Sequence, residues 1–223
     1  MNVPLLLFVL VFSLTVHESA HAWTAWRLGD PTGRDRGRIS LNPLVHLDWL
    51  GSVIVPVVLA LLPGGMMFGW AKPVPVDWRN LAHPRRDQAI ISAAGPASNL
   101  LLALLFAVLL GVVGGLAPAA VTGGVWGGRV LVFLHALANW GILLNVLLAL
   151  FNLIPVPPLD GSWLLVAVLP GPAARRLLRL GPLGLILLLL LLNGGGGRLL
   201  GRWVEAVASL YLGVARAVAA VLT

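Results

Sequence analysis

The sequence predicts an all-α integral membrane protein, a polytopic bundle of about five to six transmembrane helices. Of its 223 residues, 59% are hydrophobic and only 10% are charged. Soluble domains carry about 25% charged residues, so this composition is typical of a membrane protein. We expect one domain, residues 1–223. The net charge of +7 does not indicate a nucleic-acid partner, because the arginines lie between apolar runs, where they set topology beside anionic lipid.

Transmembrane helices need about 20 apolar residues. The candidate runs are residues 3–23, 89–115, 130–154, 177–193 and 199–222. Residues 49–71 also lack charge, but Pro56 and the Pro63-Gly64-Gly65 triplet interrupt them. We therefore expect a re-entrant hairpin that is buried against protein. Short β or extended pieces are expected on either side of this hairpin in the chain, at 38–41 and 73–76, with ordinary loop as the alternative.

Basic residues on both sides of 49–71 place these loops in the cytoplasm by the positive-inside rule. Arg198 and Arg202 conflict with this scheme, because a crossing at 177–193 would put them on the other side. The first run lacks a preceding basic segment, so we expect it to be retained rather than removed as a signal peptide. The basic residues that flank 49–71 are Arg27, Arg34, Arg36 and Arg38 before it, and Lys72, Arg79, Arg85 and Arg86 after it.

The first apolar run carries His17, Glu18 and His21. Helical positions four apart share a face, so both imidazoles can point at one spot. This is the H-E-x-x-H arrangement, in which two histidines bind zinc and the glutamate is the general base. Ionisable groups at membrane depth indicate a functional site. The alternative is a polar cluster that joins helices, which does not explain a glutamate between the histidines.

A third ligand is expected, because catalytic zinc sites usually have three protein ligands and one open position. The chain has no cysteine, so the third ligand must be histidine or carboxylate. Asp160 follows 30 uncharged residues and a segment with three prolines, which exclude a helix. Such backbone at membrane depth must line protein or a polar cavity, and a lone aspartate there is costly unless it meets a cation. The alternative is that Asp160 caps the helix that begins near Ser162.

These motifs together resemble the site-2 protease family of intramembrane zinc metalloproteases. The resemblance covers about residues 1–163, the expected catalytic core, and leaves a C-terminal helical pair at about 174–223 without a family signature. Larger members add PDZ or CBS domains, for which we expect no room here. The matching stretches are His17-Glu18-x-x-His21, Asn152-x-x-Pro155-x-Pro157-x-Leu159-Asp160-Gly161 and, as in the short prokaryotic branch, Gly29-Asp30-Pro31-Thr32, Leu41-Asn42-Pro43-Leu44, Gly69-Trp70-Ala71-Lys72-Pro73-Val74-Pro75-Val76 and Ala94-Gly95-Pro96-Ala97-Ser98-Asn99.

The resemblance implies cleavage of transmembrane protein substrates within the lipid bilayer, with Glu18 as catalytic base. It also favours Asn152 as a residue that binds the substrate backbone or the oxyanion. Asn99 is a second candidate for that role, and interhelical hydrogen bonding is the alternative for both. We expect a multi-pass protein of a prokaryotic cytoplasmic membrane, with the active site towards the cytoplasm. The implied ligands of one zinc ion per chain are His17, His21 and Asp160.

Two other functions are compatible with intramembrane histidine and aspartate. An ion-coupled transporter would use them as a relay, but no internal repeat is visible. A non-catalytic scaffold stabilised by zinc would have no use for Glu18. Among the remaining histidines, His135 is expected to pack inside a span, and His46 and His83 are expected to be solvated.

Overall fold

The computed structural model describes residues 3–54, 72–120 and 125–223, and the regular structure in these ranges is helical. Short 3₁₀ turns occur at Pro43–Val45 and Trp78–Asn80, and single π turns occur at Trp49–Ile54 and Leu192–Gly196. The α-helices are α1 (Val3–Arg27), α2 (Thr32–Asp35), α3 (Pro84–Ala120), α4 (Val125–Asn152), α5 (Gly161–Val168), α6 (Gly171–Leu178), α7 (Gly181–Leu191) and α8 (Gly197–Leu222).

Four described helical segments are long and apolar enough to cross a membrane. The all-α membrane class is therefore confirmed. The four segments are Val3–Arg27, Pro84–Leu116, Gly128–Asn152 and Leu183–Leu222.

The run 177–193, predicted as a separate span, instead contains the end of α6 and one short helix, α7. Helix α7 has 11 residues, or about 16 Å, which is roughly half the hydrocarbon thickness of a bilayer. Gly181 and Gly195 lie at φ +40° and +108°, which is backbone that glycine adopts freely and that ends regular helix there. The predicted re-entrant hairpin at 49–71 falls mainly on residues 55–71, outside the described ranges.

Residues 38–41 and 73–76, predicted as short β or extended pieces with loop as the alternative, form loops, and no strand occurs in the described ranges. A buried side chain takes the place of strand pairing. The Arg38 guanidinium donates from Nη1 to the carbonyl oxygens of Val45 (2.6 Å) and Lys72 (3.4 Å). Because this side chain satisfies carbonyl groups of both loops, the loops pack together without forming a ladder.

Three helices, α3, α4 and α8, form the main apolar core. Small residues dominate it and allow the helices to approach closely, as in other membrane bundles. The buried members are Ala103, Ala107, Leu110, Ala138, Ile142, Val146, Val204, Ala208 and Ala215.

Helix α8 runs parallel to α3. Gly111 of α3 faces Ala215, and one turn later Gly115 faces Leu222. The two helices therefore begin at the same end of the bundle, because α7 does not carry the chain across. This removes the predicted conflict in charge distribution, since one end now holds Arg85, Arg86, Arg198 and Arg202.

A buried carboxylate joins the segment that follows α1 to the segment that precedes α3. Asp30 is fully buried and accepts hydrogen bonds from Thr32 N (3.1 Å), Thr32 Oγ1 (2.5 Å), Asn80 Nδ2 (2.8 Å) and Asp77 N (2.8 Å). Burial by itself raises the pKa of Asp30, but the hydrogen bonds, led by that from Thr32, outweigh burial and lower it. This connection holds the C-terminal half of α1 beside α3.

Candidate metal centre

His17 and His21 lie one turn apart on α1 and face the same point. Both are buried, with 4% and 8% of their surface exposed. The rings meet edge to face with centroids 4.6 Å apart, and their Nε2 atoms are 3.0 Å apart. The predicted convergence of the two imidazoles therefore occurs in the structure.

Each ring has a hydrogen-bond partner on its other nitrogen, and both partners belong to α3. His21 Nδ1 donates to the carbonyl oxygen of Ile91 (2.7 Å), and His17 Nδ1 donates to Asn99 Oδ1 (2.7 Å). A proton on Nδ1 leaves a lone pair on Nε2, which is the form that binds a metal. The two lone pairs are therefore directed at one place.

Asp160 reaches the same place from the loop between α4 and α5. Its Oδ2 is 3.2 Å from His17 Nε2, and its Oδ1 is 3.4 Å from His21 Nε2. The loop turns sharply at Gly161, where a Cβ would overlap the carbonyl of Leu153. Asp160 precedes α5, but its side chain makes no capping hydrogen bond, so the helix-cap alternative lacks support.

The donor atoms suit a divalent cation. One ligand atom each from His17, His21 and Asp160 can be chosen so that all lie within 4.8 Å of one another. Asp160 Oδ2 is buried and has no hydrogen-bond partner, and the nearest nitrogens present lone pairs. A buried set of acceptors repels itself unless a cation lies among them. Two imidazoles and one carboxylate with an open fourth position are a known donor set for catalytic zinc.

Gly95 of α3 forms the wall behind the two histidines. A Cβ at this position would lie 2.5 Å from His17 Cε1, 2.5 Å from His21 Nε2 and 2.6 Å from His17 Nε2. Only glycine leaves room for both rings in this arrangement. Our sequence reasoning missed this residue, although Gly95 lies in one of the stretches that carry the family resemblance.

The other three predicted site residues lie in different surroundings. Glu18 is half-buried on α1, between the two histidines in the chain. Asn152 is half-buried at the end of α4, and its Nδ2 donates to Leu148 O (2.9 Å) within the same helix. Asn99 is fully buried, and both its oxygen and its nitrogen are engaged by other side chains. The predicted substrate contacts of Asn152 and Asn99 stay predictions.

The expected solvation of His46 is wrong. His46 is only 3% exposed, and its Nε2 donates to Ser40 O (2.9 Å). Ser19, next to Glu18 in the chain, donates to the same carbonyl (2.5 Å), so the 38–46 loop is held against α1. His135, expected to be packed, is exposed, and His83 is exposed as predicted.

A bundle of apolar helices with a buried His–His–Asp donor set defines a membrane metalloprotein. The chain is 39% identical over 170 residues to the Bacillus subtilis protein named "Putative zinc metalloprotease YwhC", a match that covers 75% of this chain and 70% of that protein. It is also 37% and 32% identical to proteins named "Putative zinc metalloprotease Rip2" from Mycolicibacterium smegmatis and Mycobacterium tuberculosis.

The matches to the Rip2 proteins cover 68% and 67% of this chain, which spans about half of their length. No protein-family model matches the chain, and no solved structure matches it. The chain belongs to the site-2 protease family. The names of its relatives support the description of this protein as a zinc metalloprotease.

Proposed function

We propose that the protein is an intramembrane zinc endopeptidase that hydrolyses peptide bonds within or near transmembrane segments of membrane proteins. One observation carries this proposal. Donor atoms of His17 and His21 on α1 meet those of Asp160, about 140 residues later in the chain, in a buried site between membrane-length helices. Glu18 lies between the two histidines in the chain. Lone acceptors at such a depth are costly unless they bind a cation.

The chain's own residues divide the chemistry between them. His17, His21 and Asp160 would hold one zinc ion, which when bound would supply an activated water near neutral pH and polarise the scissile carbonyl. Glu18 accepts a proton from the attacking water and delivers it to the leaving amine. Asn152 lies eight residues before Asp160, at the end of the span that leads into the site, and we assign to it a contact with the substrate backbone.

The substrate must present an extended segment to this site. A transmembrane helix hides its carbonyl groups in its own hydrogen bonds, so cleavage requires local unwinding. The irregular loops around 38–46 and 72–77 supply polar backbone on the side of α1 that carries Ser19. Membrane protein substrates and the lipid bilayer are therefore the partners we propose.

A single substitution tests the proposal. Glu18→Gln keeps the size of the side chain but removes its basicity, so zinc content should stay at one ion per chain while cleavage of a single-span substrate falls by at least about 100-fold. Glu205→Gln is the matched control, because Glu205 is the only other glutamate and is exposed on α8. Normal cleavage by Glu18→Gln would refute the mechanism. Wild type that binds zinc without cleaving any membrane segment would favour the scaffold.

We also propose that the metal centre faces the cytoplasm. The loops and helix ends on the side of the bundle where α3 begins carry all the basic residues except Arg129 and Arg216. The positive-inside rule places that side in the cytoplasm. If each of the four described membrane-length helical segments crosses once, Thr223 would lie on the outer side. The chain has no cysteine, so a membrane-impermeant maleimide should label Thr223→Cys in intact cells and Arg86→Cys only after permeabilisation. The reverse pattern contradicts this orientation.

A further inference from the structure

A chain of buried polar side chains runs from α4 to the metal centre. Asn145 Nδ2 donates to Gly141 O (2.8 Å) and to Ser13 Oγ (2.9 Å). Asn145 Oδ1 accepts from Asn99 Nδ2 (2.9 Å), and Asn99 Oδ1 accepts from His17 Nδ1 (2.7 Å). Asn145, Asn99 and Ser13 are all fully buried. Three helices, α1, α3 and α4, therefore contribute to one continuous set of hydrogen bonds that ends at a ligand.

The donor–acceptor direction of this set of hydrogen bonds is fixed by the carbonyl of Gly141. A backbone carbonyl only accepts, so the Asn145 amide must turn its NH₂ towards Gly141 O. The Asn145 oxygen then faces α3, so Asn99 must donate to it with its NH₂ group. The same NH₂ group also faces the carbonyl oxygen of Ser13, at 3.4 Å. The oxygen of Asn99 is left for His17, so the Nδ1 of that ring must carry the proton and Nε2 must carry the lone pair.

We propose that Asn99 is a positioning residue of the metal centre: it holds the His17 ring in the tautomer and orientation that direct Nε2 at the metal, and Asn145 holds Asn99. This differs from both roles considered for Asn99 in the sequence, the substrate contact and simple interhelical hydrogen bonding. A substrate contact would need a free polar atom on Asn99, but both ends of its amide are already engaged in hydrogen bonds.

Helix α3 thus shapes the site through two residues one turn apart. Gly95 leaves room for both imidazoles, and Asn99 orients the first of them. The His21 ring is oriented by the backbone of α3 rather than by a side chain, because its Nδ1 donates to the backbone oxygen of Ile91. The two ligands on α1 therefore differ: only the Nδ1 hydrogen bond of His17 depends on a side chain of α3.

This asymmetry supplies the experiment, which rests on the proposed zinc site but not on proteolysis. Zinc affinity is measured by chelator competition on the full-length protein in detergent, beside its thermal midpoint. Asn99→Ala removes the acceptor for His17 and should weaken zinc binding about 10- to 100-fold. Asn99→Asp keeps an oxygen facing His17, so its zinc affinity should exceed that of Asn99→Ala by at least about tenfold.

Asn145→Ala is the matched control, because it removes two buried interhelical hydrogen bonds at the same depth, and Asn145 does not contact His17. Its thermal midpoint should fall at least as far as that of Asn99→Ala, while its zinc affinity falls less. Should Asn99→Ala fail to fold, the zinc affinities of Asn99→Asp and Asn145→Ala are compared instead. Equal zinc affinities for Asn99→Ala and wild type, or for Asn99→Ala and Asn99→Asp, would overturn the inference. Wild type that binds no zinc would overturn the proposed function as well.

Discussion

Substitution of Gly95 by alanine should abolish the metal centre while leaving the fold intact. The added Cβ would lie 2.5 Å from His17 Cε1 and from His21 Nε2, whereas ordinary contacts begin near 3.4 Å. The rings would have to retreat by about 0.9 Å, which exceeds the tolerance of about 0.2 Å for zinc–ligand distances. Both rings are held through Nδ1 by α3 itself, so they cannot retreat without losing those hydrogen bonds.

The magnitude follows from this geometry. Misplacement of about 1 Å typically costs about 100-fold in activity, and disturbed ligand orientation costs 10- to 100-fold in metal affinity. We therefore expect Gly95→Ala to lose at least about 100-fold in zinc affinity. Its zinc-free form should be less stable than wild type, because a lost buried hydrogen bond costs about 1–3 kcal/mol. That cost exceeds the preference for alanine over glycine inside a helix, which is about 0.5–1 kcal/mol.

The assay is chelator competition on the purified full-length variant, combined with thermal unfolding with and without zinc. Gly114→Ala on the same helix is the matched control, since its Cβ would find Ala219 at an ordinary 3.7 Å. This control should bind zinc like wild type. If Gly95→Ala also binds zinc like wild type, the two imidazoles do not converge beside Gly95 and the proposed site is in the wrong place.

Three further predictions concern stability. Asp30→Asn should lower the free energy of unfolding by about 1–3 kcal/mol at pH 7, because the amide NH₂ of asparagine would face N–H donors. Since folding lowers the pKa of Asp30, this difference should be complete above the ordinary pKa of 3.8 and should shrink as the pH falls below it. Gly184→Ala should lower the thermal midpoint and weaken zinc binding, because the new Cβ would overlap the carbonyl of Pro157 near the aspartate ligand, whereas Gly201→Ala has open space and should change neither. Chelation should lower the thermal midpoint and added zinc should restore it, as for any ligand that binds only the folded state; a midpoint independent of zinc contradicts the site.

The three ligands could be predicted because each carries a local signal. His17 and His21 are four residues apart, and helical geometry alone places them on one face. Asp160 follows prolines that exclude a helix in an otherwise apolar region, so its carboxylate had to find a partner inside the protein. The convergence of these residues then follows from the chemistry of zinc rather than from any contact visible in the sequence.

The supporting residues could not be assigned in the same way. Whether Gly95 faces the histidines or lipid depends on the rotation of α3 about its axis, which a run apolar on all sides does not encode. The same holds for Asn99, whose role depends on which side chains of α1 and α4 it meets. His46 lies in a polar loop, and its burial results from the packing of that loop against Ser19.

Within the described residues, the division of the C-terminal apolar runs into helices was predicted less well than the class of fold. Residues 177–193 form an apolar run of nearly sufficient length, and composition cannot distinguish one span from shorter helices. Gly181 interrupts the run at positive φ, and Gly195, also at positive φ, lies just beyond its end. Glycine permits that conformation but does not require it, so the interruption depends on packing, including the close approach of Gly184 to Pro157.

The most direct test of the central claim is zinc X-ray absorption spectroscopy of the purified full-length protein, beside an Asp160→Asn variant. We predict a first shell with two imidazole nitrogens at about 2.0–2.1 Å and oxygen completing the set. Asp160→Asn should keep the histidine signal but bind zinc more weakly. A spectrum without imidazole, or one that is identical in shape and affinity for the variant, would show that the three side chains do not hold one ion together.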